Sequence, residues 1–318
     1  EYLEDPTVFE IRINCFQEVI CDTFSGRRVV QNAAITADFI RNLAKSLVSS
    51  NKLTMQAIND VILPGGIRGV ICLPPAVMDG TTAVAFRKDL AADKNLEQLT
   101  SEGIFSDCRK ITGSKQSLTD DDFFLKELHS SEKWPAFLQT AVEKKRTIVI
   151  CGETGSGKTV LTRALLKSLH KDERVIILED VHEVTVDHVV EAVYMMYGDA
   201  GKIGRVSATD ALRACMRLTP GRIIMTELRD DAAWDYLKAL NTGHPGGVMS
   251  THANSARDAF NRIGLLIKAT PIGRMLDMSD IMRMLYSTID VVVHMEKRKI
   301  KEIYFDPEYK MQCVNGSL

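Results

Sequence analysis

The sequence has 318 residues, enough for two domains that each bury a hydrophobic core. Hydrophobic residues are 45% and charged residues 26% of the chain, as in ordinary globular proteins, and the formal net charge of −2 gives no general electrostatic reason to bind nucleic acid or an anionic membrane. No apolar run approaches the ~18 residues that a membrane span needs, so we expect any association with a membrane to be peripheral.

The first 88 residues show the mixture of short strands and helices that is typical of an α+β domain. Strands are predicted at residues 8–14, 19–22, 70–73 and 82–86, with a turn at 25–28 ending the first pair. Apolar residues at helical spacing predict helices at 37–47, 55–62 and 90–103. The apolar pattern fades between about residues 106 and 122, which is typical of a linker. We therefore predict a smaller α+β amino-terminal domain over residues 1–112 and a second domain over 113–318.

The second domain shows buried strands that alternate with helices. Strands are predicted at residues 147–150, 175–178, 223–226, 247–251 and 289–293, and helices at 134–144 and 160–170 among others. Near-continuous apolar strands of this kind are typical of a mostly parallel sheet that is covered on both faces. In such sheets, ligands bind at the carboxyl ends of the strands.

Residues 152–159 read G-x-x-x-x-G-K-T, the phosphate-binding loop or P-loop. A β-branched strand precedes this motif and a helix follows it, which is the context that the motif needs. Its glycines let backbone N–H groups turn inward beside a helix N-terminus, where a polyphosphate is favoured. Lys158 is expected to reach the β- and γ-phosphates, and Thr159 to bind Mg²⁺ through its hydroxyl. The alternative is an ordinary glycine-rich turn before a helix.

Polar side chains follow three predicted strands where the P-loop must also lie. Glu179 and Glu183 follow the strand at 175–178, Glu227 follows the next strand, and His252 follows the strand at 247–251. Each alone could be a solvated strand end, but together they favour an active site. Glu227 is the predicted base that positions the attacking water. Because Thr226 occupies the position of the usual Walker B aspartate, Mg²⁺ is expected to depend on Thr159, water and the acidic residues at 179–183.

The order of these motifs resembles that of the secretion-superfamily traffic ATPases, and within them the type IV secretion branch of VirB-type hexameric ATPases. The resemblance covers nearly the whole chain. It rests on the P-loop, Leu178-Glu179-Asp180, Cys215-Met216-Arg217, Thr226-Glu227-Leu228-Arg229, Thr251-His252-Ala253-Asn254, and on residues 63–68, 73–76 and 85–88 near the amino terminus.

The resemblance implies a RecA-like ATPase domain over residues 113–318, in a homohexameric ring whose amino- and carboxyl-terminal domains form two tiers. It implies ATP and Mg²⁺ as cofactors, with the metal at Thr159 and Glu179. Glu227, Lys158 and His252 are the implied catalytic residues. The implied nucleotide contacts are Gly152, Thr154, Gly155, Ser156, Gly157, Lys158, Thr159, Val160, Arg87, Glu179, Glu183 and Arg217. The nucleotide is expected between the two domains of one subunit, at the boundary between subunits.

This chain departs from the family pattern at two places. Many relatives carry L-R-M-R-P before the Walker B strand, whereas residues 216–220 read Met-Arg-Leu-Thr-Pro and have Thr219 in place of the second arginine. Relatives also often carry I-N-R-P-G-E where residues 13–18 read Ile-Asn-Cys-Phe-Gln-Glu. The first departure leaves open which residue senses phosphate, and the second concerns only the amino-terminal face.

The function that the resemblance implies is an ATP-hydrolysing motor of a type IV secretion system. It would power substrate transfer or pilus assembly from the cytoplasm, peripherally at the inner membrane, with inner-membrane channel proteins, other ATPases and a DNA or protein substrate as partners. One alternative is a hexameric switch or scaffold that binds nucleotide to gate channel partners and turns over slowly. Intact Lys158, Thr159 and Glu227 favour the motor. A small-molecule kinase would also need an acceptor site and a lid, which the sequence does not show.

Overall fold

The computed structural model describes residues 1–88, 94–108, 110, 116–198, 205–229 and 232–316. The strands within these ranges form one sheet of six strands and one of seven. The first sheet comes entirely from residues before position 88, and the second from residues after position 147. Within the described ranges, no helix is both long and apolar enough to cross a bilayer.

The first sheet is antiparallel throughout and has the order β3-β2-β1-β6-β5-β4. Its strands are β1 (Val8–Ile13), β2 (Glu18–Thr23), β3 (Gly26–Gln31), β4 (Ile58–Leu63), β5 (Ile67–Cys72) and β6 (Ala83–Arg87). Helix α1 (Ala37–Ser50) contacts β4 and buries Ile40, Ala44 and Val48, which recur at the i, i+4 spacing of one helical face. Its N-cap is Thr36, whose hydroxyl accepts a hydrogen bond from the Phe39 amide.

Two predictions for this region were wrong. The predicted helix at 55–62 is instead strand β4, whose side chains alternate between buried and exposed as it pairs with β5. Residues 26–28 of the predicted turn at 25–28 instead begin strand β3. The chain reverses between Thr23 and Gly26, which pair with each other. The helix predicted at 90–103 is the shorter α2 (Leu96–Ser101), and residues 89–93 lie outside the described part of the chain.

The second sheet has the order β13-β12-β7-β11-β10-β8-β9, and all its neighbouring strands are parallel except β12 and β13. Its strands are β7 (Ile148–Gly152), β8 (Arg174–Glu179), β9 (Glu191–Met196), β10 (Arg222–Met225), β11 (Val248–Thr251), β12 (Val291–Glu296) and β13 (Lys299–Phe305). The prediction of a mostly parallel sheet is therefore confirmed. The carboxyl ends of β7, β8, β10 and β11 lie along one edge, and the P-loop follows β7 at that edge.

Helices cover both faces of this sheet. They are α3 (Asp120–Ser130), α4 (Trp134–Glu143), α5 (Lys158–Leu166), α6 (Ala208–Arg217), α7 (Ala232–Asn241), α8 (Ala256–Ala269), α9 (Met278–Thr288) and α10 (Pro307–Val314). Alternate residues of β7 face opposite sides. Val149 and Cys151 pack with residues of α6 to α9, whereas Ile148 and Ile150 pack with residues of α3 to α5. This two-sided burial explains why β7 reads as a continuous apolar run.

The end of the predicted linker is the start of helix α3. Thr119 and Asp122 form a capping box, in which the Thr119 hydroxyl accepts from the Asp122 amide and the Asp122 carboxylate accepts from the Thr119 amide. Residues 120–122 therefore form the first turn of the helix, although a run of three aspartates is typical of a loop. Of the predicted linker, residues 109 and 111–115 lie outside the described ranges.

The two sheets contact each other through β9. The Met78 amide donates to the Tyr194 carbonyl at 3.1 Å, and the Met196 amide donates to the Ala76 carbonyl at 2.9 Å. Residues 76–78 thus extend the second sheet beyond β9, and Val70, Cys72 and Val77 belong to the same buried cluster as residues of α6 to α9. The two sheets therefore share a buried core and do not merely contact each other at the surface.

A buried carboxylate lies at this contact. Glu191, the first residue of β9, is fully buried and is paired with Arg12 of β1 at 2.8 Å, Arg174 of β8 at 2.7 Å and Arg27 of β3 at 2.8 Å. Burial alone would raise the pKa of Glu191, but its hydrogen bond with Arg12 and the charges of Arg174 and Arg12 outweigh burial and lower it. The buried carboxylate of Glu191 is therefore ionised only because its arginine partners stabilise the negative charge.

We predict that Glu191→Ala destabilises the protein by about 3–5 kcal/mol, because it leaves Arg12 and Arg174 buried without their shared partner. Urea or thermal unfolding would measure the loss. Arg41→Ala is the matched control, since Arg41 pairs with Asp38 on the exposed surface of α1 and its loss should cost less than about 1 kcal/mol. Equal effects of the two substitutions would show that the buried network does not stabilise the contact between the sheets.

Candidate active site

The P-loop leaves β7 at Gly152 and enters α5 at Gly157. Gly152 has a φ of 149°, and a Cβ atom there would lie 2.2 Å from the Met295 carbonyl oxygen, so only glycine fits. Gly157 has a φ of 99° and caps α5. The Lys158 ammonium donates to the carbonyls of Gly152 and Glu153, both at 2.9 Å, and lies 3.5 Å from His252 Nδ1. Burial lowers the pKa of Lys158. The lysine is therefore held over the loop by groups that a phosphate would replace.

A cleft of about 920 Å³ opens above the P-loop. This is large enough for a nucleotide. Most of the side chains predicted for the site line it, together with several that the sequence did not single out. The lining residues are Thr154, Gly155, Gly157, Lys158, Thr159, Val160, Asp180, Val181, Glu183, Thr226, Glu227, Arg229, Ser250, His252, Met295 and Arg298.

Glu227 is the second residue after β10 and is held by an imidazole and a guanidinium. His252 Nε2 lies 3.2 Å from one carboxylate oxygen, and the Arg229 guanidinium donates to the other. Burial alone would raise the pKa of Glu227, but Arg229 and then His252 outweigh it and lower the pKa below its usual value. Arg229 also lies 3.7 Å from the Asp180 carboxylate. The structure thus brings the predicted base, the predicted histidine and Lys158 into one connected group.

Glu179 has a different position from the one predicted for a metal ligand. It is fully buried at the end of β8, and one of its oxygens accepts from the amides of Glu183 at 3.1 Å and Val184 at 3.0 Å. The other oxygen contacts His182 Nδ1 at 2.8 Å. Burial is the main reason that the pKa of Glu179 is raised. Both oxygens of Glu179 thus bind groups of the loop after β8. The carboxylate that accepts a hydrogen bond from the Thr159 hydroxyl, at 3.0 Å, is instead that of Glu183 on this loop.

Five predicted nucleotide contacts are not among the residues that line this cleft: Gly152, Ser156, Glu179, Arg87 and Arg217. The last two belong to contacts of the first sheet. Arg87 ends β6 of the first sheet, where its register partners are Glu10 and Arg68. Arg217 ends α6 and pairs with Asp60 of the first sheet. The structure therefore gives no support to a nucleotide held between Lys158 and Arg87 of the same chain.

Thr219, which stands where many relatives have arginine, also lies at the contact between the two sheets. Its hydroxyl donates to the Glu10 carboxylate at 2.7 Å, and its φ of 52° places it in the left-handed region. Thr219 is not among the residues that line the cleft. The cations that the cleft does contain are Lys158, Arg229 and Arg298.

Arg229, Arg298 and Met295 were missed by the sequence reasoning. Arg229 stands two residues after Glu227, and this spacing was the available signal for it. Arg298 lies in the turn between β12 and β13, far from any recognised motif, and β13 itself was not predicted. Only the pairing of β12 with β7 brings that turn to the P-loop.

The site has a P-loop at the carboxyl edge of a parallel sheet, a histidine at the end of the adjacent strand β11 and a glutamate after the next strand, β10. These features define the class of P-loop nucleoside triphosphatases. Residues 115–302 match the family model described as "Type II/IV secretion system protein". The chain belongs to this family.

Proteins similar over nearly the full length refine the assignment. The chain is 33% identical over 331 residues to the type IV secretion system protein VirB11 of Bartonella quintana, which covers 99% of this chain and 92% of that protein. It is 32% identical over 302 residues to the type IV secretion system protein PtlH of Bordetella pertussis, covering 93% and 88%. The crystal structure of the VirB11 ATPase from the Brucella suis type IV secretion system, in complex with sulphate, has a TM-score of 0.91 at 32% identity and covers 98% of this chain and 93% of that one.

We predict that Glu179→Ala loosens the loop after β8 rather than removing a ligand. Two backbone N–H groups lose their acceptor, which should lower the free energy of unfolding by about 1–3 kcal/mol and speed amide exchange at Glu183 and Val184. Hydrogen exchange read by mass spectrometry would measure this. Glu183→Ala is the control, because it removes a carboxylate from the cleft and leaves both amides bonded. If exchange stayed slow in Glu179→Ala, Glu179 would not hold the loop.

Proposed function

We propose that this chain is a Mg²⁺-dependent ATPase and that its ATP hydrolysis powers transport through a type IV secretion system. The observation that carries the proposal is the connected group at the cleft. His252 lies 3.5 Å from the Lys158 ammonium on one side and 3.2 Å from the Glu227 carboxylate on the other. A group that binds phosphate and a group that can position water are thus joined through one imidazole, as hydrolysis of a γ-phosphate requires.

Binding of the phosphates would change the partners of these groups. The P-loop amides and Lys158 would bind the β- and γ-phosphates, and Lys158 would leave the carbonyls of Gly152 and Glu153. A glutamate carboxylate is ionised near neutral pH, and Arg229 and His252 lower the pKa of Glu227 further, so it can accept a hydrogen bond from water. In the arrangement described here its oxygens are occupied by Arg229 and His252. We infer that these two contacts loosen when the γ-phosphate, whose oxygens accept hydrogen bonds, is present.

The side chains beside Thr159 fit a magnesium ion. The Thr159 hydroxyl and the Glu183 carboxylate are in contact, the Asp180 carboxylate lines the same cleft, and hard oxygen donors are what Mg²⁺ prefers. Within the described ranges no group of three or more His, Cys, Asp or Glu side chains could hold a metal on its own. This agrees with an ion that is bound by one or two protein groups, water and substrate phosphates. When bound, Mg²⁺ neutralises charge on the β- and γ-phosphate oxygens.

At the level of the assembly, we propose a RecA-like ATPase domain over residues 113–318, an amino-terminal domain over 1–112, and a homohexameric ring at the cytoplasmic face of the inner membrane. Channel proteins, other ATPases and a DNA or protein substrate are the proposed partners. Similarity to VirB11 and PtlH over nearly the whole chain supports this. Because Arg87 does not line the cleft of its own chain, a nucleotide contact by Arg87 would have to come from a neighbouring subunit of the ring.

We expect Lys158→Ala to lower ATP hydrolysis by a factor on the order of 100 or more, because the cation on the β- and γ-phosphates is lost. Phosphate release without any acceptor substrate would measure the rate and would also exclude a kinase. Lys167→Ala, an exposed lysine just after the same helix, is the control and should keep the wild-type rate. Normal turnover in Lys158→Ala would refute the assignment of the P-loop.

Glu227→Gln should keep ATP binding and slow the chemical step by about 100-fold or more, since the amide is nearly isosteric but is not a base. Single-turnover kinetics and titration calorimetry would separate the two effects. Glu143→Gln, on the exposed surface of α4, is the matched control for the change of charge. A loss of ATP affinity without a loss of rate would identify Glu227 as a ligand instead.

A further inference from the structure

The cleft has a second wall that the proposed chemistry does not use. In the sheet, β7 lies between β11 and β12. The β11 side carries His252 and, one strand further, Glu227. On the other side β12 runs parallel to β7 as far as Met295, which pairs with Gly152, and the chain then turns into β13. Met295 and Arg298 line the cleft from this side. We call this turn, residues 295–298, the hairpin wall.

The hairpin wall is held against the P-loop at two points. The Met295 carbonyl oxygen would lie 2.2 Å from a Cβ atom at Gly152, so it approaches the start of the loop as closely as a glycine permits. The Arg298 Cα would lie 3.7 Å from a Cβ atom at Gly157, at the end of the loop. The position of Arg298 relative to a bound phosphate chain is therefore fixed by backbone rather than by a flexible loop.

The turn has a sequence that its conformation does not favour. Lys297 has a φ of 48° and Arg298 a φ of 62°, so the two residues that join β12 to β13 are both left-handed. Such two-residue hairpin turns prefer Asn, Asp and above all Gly. Non-glycine residues held in this region are strained and occur often at ligand sites. A turn that served only to connect two strands would be better made with glycine at position 298.

Arg298 also differs from its neighbours in its contacts. Lys297 pairs with the adjacent Glu296 at 3.3 Å. In the described part of the chain Arg298 makes no ion pair and no side-chain hydrogen bond, although Lys158 and Arg229, the other cations of the cleft, are both engaged. Among the described residues, Arg298 is thus a cation of the cleft without a side-chain partner, and its backbone is held at the edge of the cleft.

We propose that the hairpin wall is the subsite for the nucleoside of ATP and that the Arg298 guanidinium binds the face of the purine base. The γ-phosphate belongs beside Glu227 and His252, and Lys158 lies between that side and the hairpin wall. The part of the nucleotide beyond the β-phosphate therefore extends toward Arg298. Arginine suits this role because its planar cation stacks on aromatic rings. The inference rests on the proposed ATPase function and adds the subsite that recognises the base.

The test compares three ligands that share the phosphates but not the base. Titration calorimetry would measure ATP, ADP and inorganic tripolyphosphate, each with Mg²⁺, on wild type and Arg298→Ala. We expect Arg298→Ala to weaken ATP and ADP about tenfold, and tripolyphosphate by less than about twofold. The KM for ATP should rise by a similar factor while kcat changes by less than about twofold. Lys299→Ala is the matched control, because Lys299 is exposed on the same hairpin but lies outside the hairpin wall, and it should leave all three affinities unchanged.

Arg298→Gly distinguishes binding from folding. Glycine relieves the left-handed strain, so the melting temperature should stay the same or rise while ATP affinity falls as in Arg298→Ala. A lower melting temperature with unchanged ATP affinity would identify a purely structural residue and overturn the proposal.

Three further outcomes would overturn it. These are unchanged ATP affinity in both Arg298 variants, an equal loss for tripolyphosphate, which would indicate a phosphate contact, and an equal loss in Lys299→Ala, which would indicate general charge. Failure of the wild type to bind ATP would instead refute the proposed function. The two failures are therefore distinguishable.

Discussion

The position of β7 between β11 and β12 is the constraint on which the rest of the site depends. Since parallel strands end at the same edge of a sheet, the chain leaving β7 must pass between the ends of its neighbours. One neighbour presents His252, and the other presents Met295 and the turn that carries Arg298. The P-loop is therefore enclosed by two walls of different chemistry, one able to position water and one able to hold the far end of a ligand.

Apart from Arg298, the charged side chains described at the site have partners within the chain. Lys158 is bound by loop carbonyls, Thr159 by Glu183, and Glu227 by Arg229 and His252. These contacts keep partly buried charges satisfied without a ligand, which is necessary because an unpaired charge in such a place is costly. They also mean that nucleotide binding exchanges partners instead of filling empty positions. This links binding to a rearrangement of Glu227 and Arg229.

The contact between the two sheets limits how a rearrangement at the cleft could be transmitted to the rest of the chain. Buried Glu191 binds arginines from both sheets, and backbone hydrogen bonds join residues 76–78 to β9. Within one chain the two sheets share a core, so a hinge between them would have to break buried ion pairs. A swing of the amino-terminal domain about the linker is therefore harder to reconcile with this structure than a movement between chains. Thr219 belongs to this contact and is not among the residues that line the cleft.

Local patterns in the sequence were sufficient for the P-loop, for the buried strands β7, β8, β10, β11 and β12, and for Glu227 and His252. Each of these depends on residues close together in the chain, such as an apolar run or a glycine spacing. Strands β9 and β13 were not predicted, because β9 begins with a charge that only distant arginines make tolerable and β13 reads as a charged, exposed segment.

Tertiary structure alone decided the positions of Glu179, Arg87 and Arg298. The motif places Glu179 at a strand end, but its burial and its bonds to two loop amides turn it away from the cleft. Arg87 follows a correctly predicted strand, yet that strand belongs to the other sheet. Arg298 reaches the P-loop through the pairing of β12 with β7. Sequence patterns reflect interactions between residues that are close together in the chain. The positions of these three residues depend on strand order, register and burial, which arise from contacts between residues that are far apart in the chain.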